Sequence, residues 1–244
     1  LMVVRREHDG IRRYCHLGTG NYHHKTARAY TDYGLLTANE AIGLDVHEIF
    51  MQLTSLTRTP KLRLLLQSPF TLHERLLELI RAQAALRAKG RIVARMNALT
   101  EPQVIEALCE ASRAGAQIDL IVRGTCALRP GEAGVSENIR VRSIIGRFLE
   151  HPRLWCFGEG RKARLYLSSA DWMERNLFHR VEIAFPVLDP ALHAALRKDL
   201  ALYLEDSTDA WLLQGDGSYR RAAPREGDTA PASAQSSQLK RYAG

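Results

Sequence analysis

Cysteine is scarce in this 244-residue chain, and Cys15, Cys109, Cys126 and Cys156 lie far apart with no CxxC pair. Neither a zinc site nor a disulfide framework is suggested, so the four read mostly as buried small apolar residues. No stretch approaches the roughly 20 apolar residues that a membrane-spanning helix needs. The start, "LMVVRREHDG", lacks the charged, then apolar, then small-residue order of a signal peptide. The chain therefore reads as cytoplasmic. What is present is ordinary for a globular protein, at 45% hydrophobic and 25% charged residues, with enough length for one large or two modest domains.

Lysine plus arginine exceeds aspartate plus glutamate by 34 to 27, and the excess is unevenly placed. Between Ser136 and Ser169 stand Arg140, Arg142, Arg147, Arg153, Arg161, Lys162 and Arg164 against Glu137, Glu150 and Glu159. A cationic surface there calls for an anionic partner: nucleic acid, a nucleotide, polyphosphate or a lipid head group. A solvated charged face is the plainer alternative.

"LMVVRRE" and "IRRYCHLG" flank Asp9-Gly10, a hairpin signal, and "YTDYGLLT" reads as a further strand. Ile42, Val46, Ile49, Phe50 and Leu53 recur at helical spacing from Ala38 to about Leu56, and "TRTPKLR" then marks a domain boundary. A helix over Thr71–Lys89 carries a Thr71/Glu74 capping box and Gly90 as its stop. A second helix covers Glu101–Ala114, with Pro102 in its first turn, and a third runs from Pro190 to about Leu204. Strands fall at "RIVARMN", "QIDLIVRG", "IRVRSII", "RLWCF", "ARLYLSS" and "VEIAFPV". The alternation predicts an α/β fold, and the adjacent strands without intervening helices predict a mixed sheet. After about Gly215, "APREGDTAPASAQSSQ" is too poor in apolar residues to order itself and reads as disordered.

Two short stretches share a design. Gly18-Thr19-Gly20-Asn21 follows one strand, and Ser168-Ser169-Ala170-Asp171 follows another. Glycines allow close backbone approach, and Thr19 and Asn21 add short hydrogen-bonding groups, as a phosphate cradle requires. The first stretch has no Walker spacing and opens no dinucleotide fingerprint, so an ordinary turn remains the alternative. Two such tetrads after strands look like two copies of one half-site.

Paired tetrads of this kind resemble the phospholipase D superfamily, whose half-sites face each other across a cleft. Longer segments, "YCHLGTGNYHHKTARAYTDYGLLT", "LIVRGTCALRPGEAGVSENIRVRSIIGRFLEHPRL" and "YLSSADWMERNLFHRVEIAFPVLDP", resemble the two C-terminal domains of the large, phosphohistidine type of polyphosphate kinase. The resemblance implies mixed-sheet phospholipase-D-like domains: the latter part of the first over residues 1–64, the second over 65–206, and an extension over 207–244. It implies reversible transfer of the terminal phosphate of ATP to polyphosphate through a phosphohistidine, with Mg2+ held mainly by residues upstream. Carried onto this sequence, Tyr30 and Asp32 help form the nucleotide pocket, Arg123 and Arg180 clamp phosphate oxygens, and His151 faces the phosphorylated histidine as an acid/base or phosphate-stabilising partner. Such groups suit a transition state that spreads negative charge over oxygens. His16 reads as a satisfied strand histidine.

In the family the phosphate-accepting histidine lies in an H-x-K segment directly before the strand that begins "LMVVRRE" here, so the chain alone is expected to be inactive or nearly so. The implied partners are ATP or ADP, polyphosphate and the N-terminal portion of the enzyme, with homo-oligomers, a peripheral association with the inner membrane and no nucleic acid. A phospholipase-D-like phosphodiesterase is disfavoured, because neither half carries H-x-K with a following Asp. A non-catalytic polyanion-binding module is the remaining alternative.

Overall fold

Asp9-Gly10 turns the chain back as the dipeptide predicts, with Gly10 at φ +126°, and pairs β1 (Met2–Glu7) with β2 (Gly10–Gly18). The computed structural model describes residues 1–55, 61–224 and 232–242. The expected strand "YTDYGLLT" divides into β3 (Tyr30–Thr31) and β4 (Gly34–Thr37), and only β4 joins the hairpin, in the order β1-β2-β4. Helix α1 (Glu40–Ser55) follows. Asn39 accepts the amide of Ile42 at 3.1 Å to start it, and Ile42, Val46 and Ile49 pack in one core with Cys15 and Leu17 of β2. Leu56 and most of the expected domain boundary, through Pro60, lie outside the described residues.

The rest of the chain builds β5 (Leu66–Ser68), α2 (Leu72–Ala85), β6 (Arg91–Met96), α3 (Pro102–Arg113), β7 (Gln117–Val122) and β8 (Ile139–Ile144). Then come β9 (Leu149–Glu150), β10 (Arg153–Phe157), β11 (Arg164–Ser168), β12 (Glu182–Pro186), α4 (Pro190–Glu205), β13 (Ala210–Leu213), β14 (Tyr219–Arg221) and α5 (Ala234–Tyr242). Nine of these strands form one sheet in the order β14-β13-β8-β7-β6-β10-β11-β12-β5. β6, β7 and β8 are parallel and the other pairings antiparallel, which makes the sheet mixed, as the sequence predicts.

Both faces of the central strands are covered. Ile92, Ala94, Ile118, Leu120, Trp155 and Phe157 point into a core with α2 and α3, while Val93, Ile121, Leu154 and Cys156 point into one with α1, α4 and β2. Alternate residues are therefore apolar on both sides, which is why these strands read as continuous apolar runs. Burying a leucine or phenylalanine side chain contributes about 1.5 to 3 kcal/mol, so this double-sided core holds the strand ends rigidly.

Three local expectations fail. Thr71 precedes α2 without capping it, because its hydroxyl accepts the amide of Gln67 at 3.1 Å instead. Gly90 is not a left-handed stop, since Arg87 takes the positive φ of 53°. A Cβ at Gly90 would lie 2.2 Å from Gln83 O, so close backbone approach requires the glycine. The tail is not disordered throughout: β14 pairs with β13, and α5 buries Ala234 and Gln235. The second half of this tail helix is docked by polar side chains, which a count of apolar residues does not register. Residues 225–231 lie outside the described residues.

Candidate functional site

The C-terminal ends of β6, β7 and β11 and the N-terminal end of β10 lie side by side on one edge of the large sheet. This is where α/β sheets present their ligand-binding loops. The loops are tied together, with Trp172 N donating to Ala98 O and Leu99 N to Thr125 O. The end of β2 delivers Gly18–Asn21 onto the same edge, so the two tetrads converge. A cleft of about 340 Å³ has Thr19, Gly20 and Asn21 on one wall and Ser169 and Asp171 on the other, with His151 and Arg153 lining it as well.

The hydroxyls of the tetrads, which by composition suggest a phosphate cradle, are engaged within the fold. Thr19 is buried and donates to Asp32 Oδ1 at 2.8 Å, while Ser169 donates to Glu182 at 2.5 Å and Ser168 to Ile183 O at 2.9 Å. Gly20 does need to be glycine, because a Cβ there would stand 2.1 Å from Asp32 Oδ2.

Asp32 is held for one task. Its carboxylate lies 2.9 and 3.0 Å from His151 Nδ1, and the Tyr30 ring centroid lies 5.2 Å from that of His151. An ionised carboxylate only accepts, so Nδ1 carries the proton. On the other side Arg153 Nη1, which only donates, is 3.2 Å from His151 Nε2. The pair of contacts selects the tautomer protonated at Nδ1, with the Nε2 lone pair accepting from Arg153. The His151 side chain is 17% exposed, accessible yet fixed.

Arg153 joins the halves. Its guanidinium meets Asp171 through Nε at 3.2 Å and Nη2 at 2.8 Å, and Nη1 donates to Thr19 O at 2.9 Å. Asp171 also accepts the amide of Asn97 at 2.7 Å. A carboxylate so fully engaged is a clamp for Arg153 and not a nucleophile. Arg180 lines the cleft, and the π-helical turn Arg175–His179 places Arg175 and Asn176 on its rim. Arg123, just past β7, is half-buried beside Asp171, Arg153 and Tyr30, and burial lowers its pKa despite the raising charge of Asp171. The structure thus brings Tyr30, Asp32, His151 and Arg180 to one place and sets Arg123 alongside.

The run of cations narrows on inspection. Arg140 is paired in two-pronged fashion with Asp119, Arg142 donates to the carbonyls of Tyr203 and Leu204, and Arg153 is taken by Asp171. Arg142 and Arg153 work inside the fold and the exposed Arg140 is neutralised by Asp119, so the surface is less cationic than the sequence count. His16 is satisfied, as read, with Nε2 2.7 Å from the Tyr22 hydroxyl.

The carboxylates of the cleft are all engaged: Asp32 by His151 and Thr19, Asp171 by Arg153, Glu182 by Ser169 and Asn176. Among the described residues no group of three or more His, Cys, Asp and Glu is placed to hold a metal ion. These residues therefore offer no ligand set of their own for a metal, and the resemblance places the ligands of magnesium mainly upstream.

Arg153 and Glu150 escaped the sequence reading as anything but entries in a charge count. The signal was there: Arg153 opens an all-apolar strand and Arg95 interrupts "RIVARM", and a buried arginine demands a carboxylate partner. Arg95 finds Glu150, both nearly inaccessible, with its guanidinium 4.0 Å over the Tyr203 ring.

Among the described residues no helix is long and apolar enough to cross a membrane. The model of polyphosphate kinase C-terminal domain 2 matches residues 65–235, and that of C-terminal domain 1 matches residues 1–59. The polyphosphate kinase of Xylella fastidiosa (strain Temecula1) is 57% identical over 243 residues, covering 98% of this chain and 35% of that protein. That of Pseudomonas aeruginosa is 53% identical over 246 residues, covering 100% of this chain and 36% of that protein. The crystal structure of polyphosphate kinase from Porphyromonas gingivalis matches with a TM-score of 0.88 at 37% identity, over 96% of this chain and 36% of that one. The chain spans about a third of the length of these relatives. With its motifs, its mixed α/β sheet and both C-terminal domain models in agreement, the chain belongs to the polyphosphate kinase family.

Proposed function

We propose that this chain handles phosphate in the reversible transfer of the terminal phosphate of ATP to polyphosphate, through a phosphohistidine lying upstream of it. The observation that carries the reading is the Asp32–His151–Arg153 chain of contacts, set in a cleft whose walls come from both tetrads. In each direction a P–O or P–N bond to the departing group breaks as one to the acceptor forms, and negative charge spreads over the oxygens in flight. Arg175 and Arg180 supply positive charge at the cleft, Arg153 fastens its two walls together, and Arg123 adds to the field from its side. Asp32 holds the His151 ring at the cleft, and Nε2, by accepting from Arg153, steadies that guanidinium between the two walls. Tyr30 packs against that ring and offers a flat surface for a base. Asp32 acts through His151 while lining a pocket together with Tyr30. Magnesium would arrive with ATP and be held by other parts of a longer protein, and assembly into homo-oligomers belongs to the same reading.

The test is transfer of labelled phosphate from ATP into acid-stable polymer, by the chain alone and then mixed with a separately expressed N-terminal portion carrying H-x-K. Activity only in the mixture, lost in His151→Ala, is the expected outcome. Activity in the chain alone would sink the placement of the nucleophile. Activity in neither, with salt-sensitive polyphosphate binding that ignores His151→Ala, would favour a polyanion-binding module.

A further inference from the structure

Helix α5 lies apart from the cleft, yet one of its side chains grips the segment that carries His151. The amide of Gln235, nearly inaccessible to solvent, takes both backbone groups of Phe148: Oε1 accepts Phe148 N at 2.9 Å and Nε2 donates to Phe148 O at 2.9 Å. Nε2 also donates to Glu150 Oε1 at 2.6 Å. One side chain thus does what a neighbouring strand would do for residues 148–150. The approach is close enough that a Cβ at Gly146 would stand 2.7 Å from Gln235 Oε1.

The gripped segment is β9, and β9 is a two-residue strand whose parallel partner is β3, with Tyr30 opposite Leu149 and Thr31 opposite Glu150. Thr31 donates to Glu150 Oε2 at 2.8 Å, and Leu149 N donates to Ala29 O at 2.8 Å. The next residue on each strand is one of the working pair, His151 after Glu150 and Asp32 after Thr31. A ladder this short does not hold itself. Its other support is Glu150, paired with Arg95 and 3.0 Å from the Tyr203 hydroxyl. Helix α5 is itself pinned at both ends: Ala234 N donates to Asp206 at 2.7 Å, while Arg241 and Tyr242 donate to Asp199 at 2.8 and 2.9 Å.

We propose that Gln235 of α5 is a positioning residue: through Phe148 and Glu150 it fixes β9 against β3, and so sets the His151–Asp32 geometry. The inference rests on His151 and Asp32 being the working pair, but its readout is the imidazole itself and needs no catalysis. In the whole chain labelled with 15N-histidine, the His151 ring nitrogens report the tautomer protonated at Nδ1. Gln235→Met keeps the volume and removes both ends of the amide. It is expected to move His151 to the mixed-tautomer values of a free imidazole and to weaken binding of inorganic tripolyphosphate about tenfold, with circular dichroism unchanged. Arg241→Ala loosens α5 at its far end without touching β9 and is expected to leave the His151 signals in place. Unchanged His151 signals in Gln235→Met, or equal changes in Arg241→Ala, would overturn the proposal. Should Gln235→Met not fold, Gln235→Asn, whose amide is one methylene short, is read in the same way. If wild-type chain binds no tripolyphosphate, the functional reading fails while the histidine signal still decides for or against the brace.

Discussion

At Gly20 the missing side chain matters more than any present one, since the Asp32 carboxylate fills the space a methyl would need. Gly20→Ala is therefore expected to push Asp32 off His151 and mimic Asp32→Asn, each lowering tripolyphosphate affinity by about tenfold or more, as titration calorimetry would register. Equal affinity in wild type and Gly20→Ala would show that the pair does not matter. Arg123→Ala should cost at least as much, whereas Arg161→Ala, on an exposed turn, should change affinity less than about twofold. Asp119 gives a pH dependence of a different origin. Burial opposes its ionisation, but the hydrogen bond from Arg140 and the charges of Arg91 and Arg140 outweigh that, and its pKa is lowered. A depressed carboxylate stabilises the fold above its unfolded pKa of about 4, and that stability is lost as pH falls through the lower folded value. Asp119→Asn should flatten the acid limb of a denaturation-midpoint profile below about pH 4. At this scale the sequence was partly legible. The two tetrads stood out by residue type and position, whereas His151, Asp32 and Arg180 were legible only through the family resemblance. Arg153, Glu150 and Gln235 did not stand out in either way, because their meaning lies in partners that are distant along the chain, such as Thr19 for Arg153 and Phe148 for Gln235.

Elements were more legible than residues where the apolar pattern is strong. The doubly covered strands β6, β7, β10 and β11 stand out as apolar runs, and α3 begins where Pro102 predicts, with Glu101 accepting the amides of Gln103 and Val104. Legibility failed where polar groups do the holding. The segment after α1 is an example: Asp45, 2% exposed, accepts the amides of Arg63, Leu64 and Leu65 at 2.7 to 3.0 Å. Nothing in "GLDVHE" sets Asp45 apart from a surface aspartate on an amphipathic helix. Asp45→Ala leaves those amides unpartnered and is expected to cost about 3 kcal/mol, a fall in Tm of about 6 to 12 °C by calorimetry. Asp45→Asn, which keeps one acceptor, should lose less. Thr71 errs in the opposite direction, since the sequence of a capping box was present while the geometry used its hydroxyl for the preceding turn.

For the whole molecule, the small sheet leaves apolar side chains exposed on its outer face. Val3 and Leu36 are 46% and 80% exposed on the face away from the core, and β1 and β4 are unpaired edges within that sheet. Self-association at high concentration is the expected result. Light scattering should show it suppressed in the double variant Val3→Glu, Leu36→Glu, and a monodisperse wild type would contradict it. The cleft has a further implication, because Arg153 on the large sheet contacts the backbone of Thr19, which belongs to the hairpin's strand end. An anion lodged in the cleft, with Asn21 from that strand end and Arg175 and Arg180 from the large-sheet side around it, interacts with both parts of the fold at once. By reciprocity, whatever factor the docked arrangement adds to its affinity is the factor by which the anion strengthens the docking. Saturation to a hundredfold excess over Kd would add about 2.7 kcal/mol, and amide exchange in β2 should slow together with exchange in β10. Phosphate would then act as a glue for the architecture that captures it.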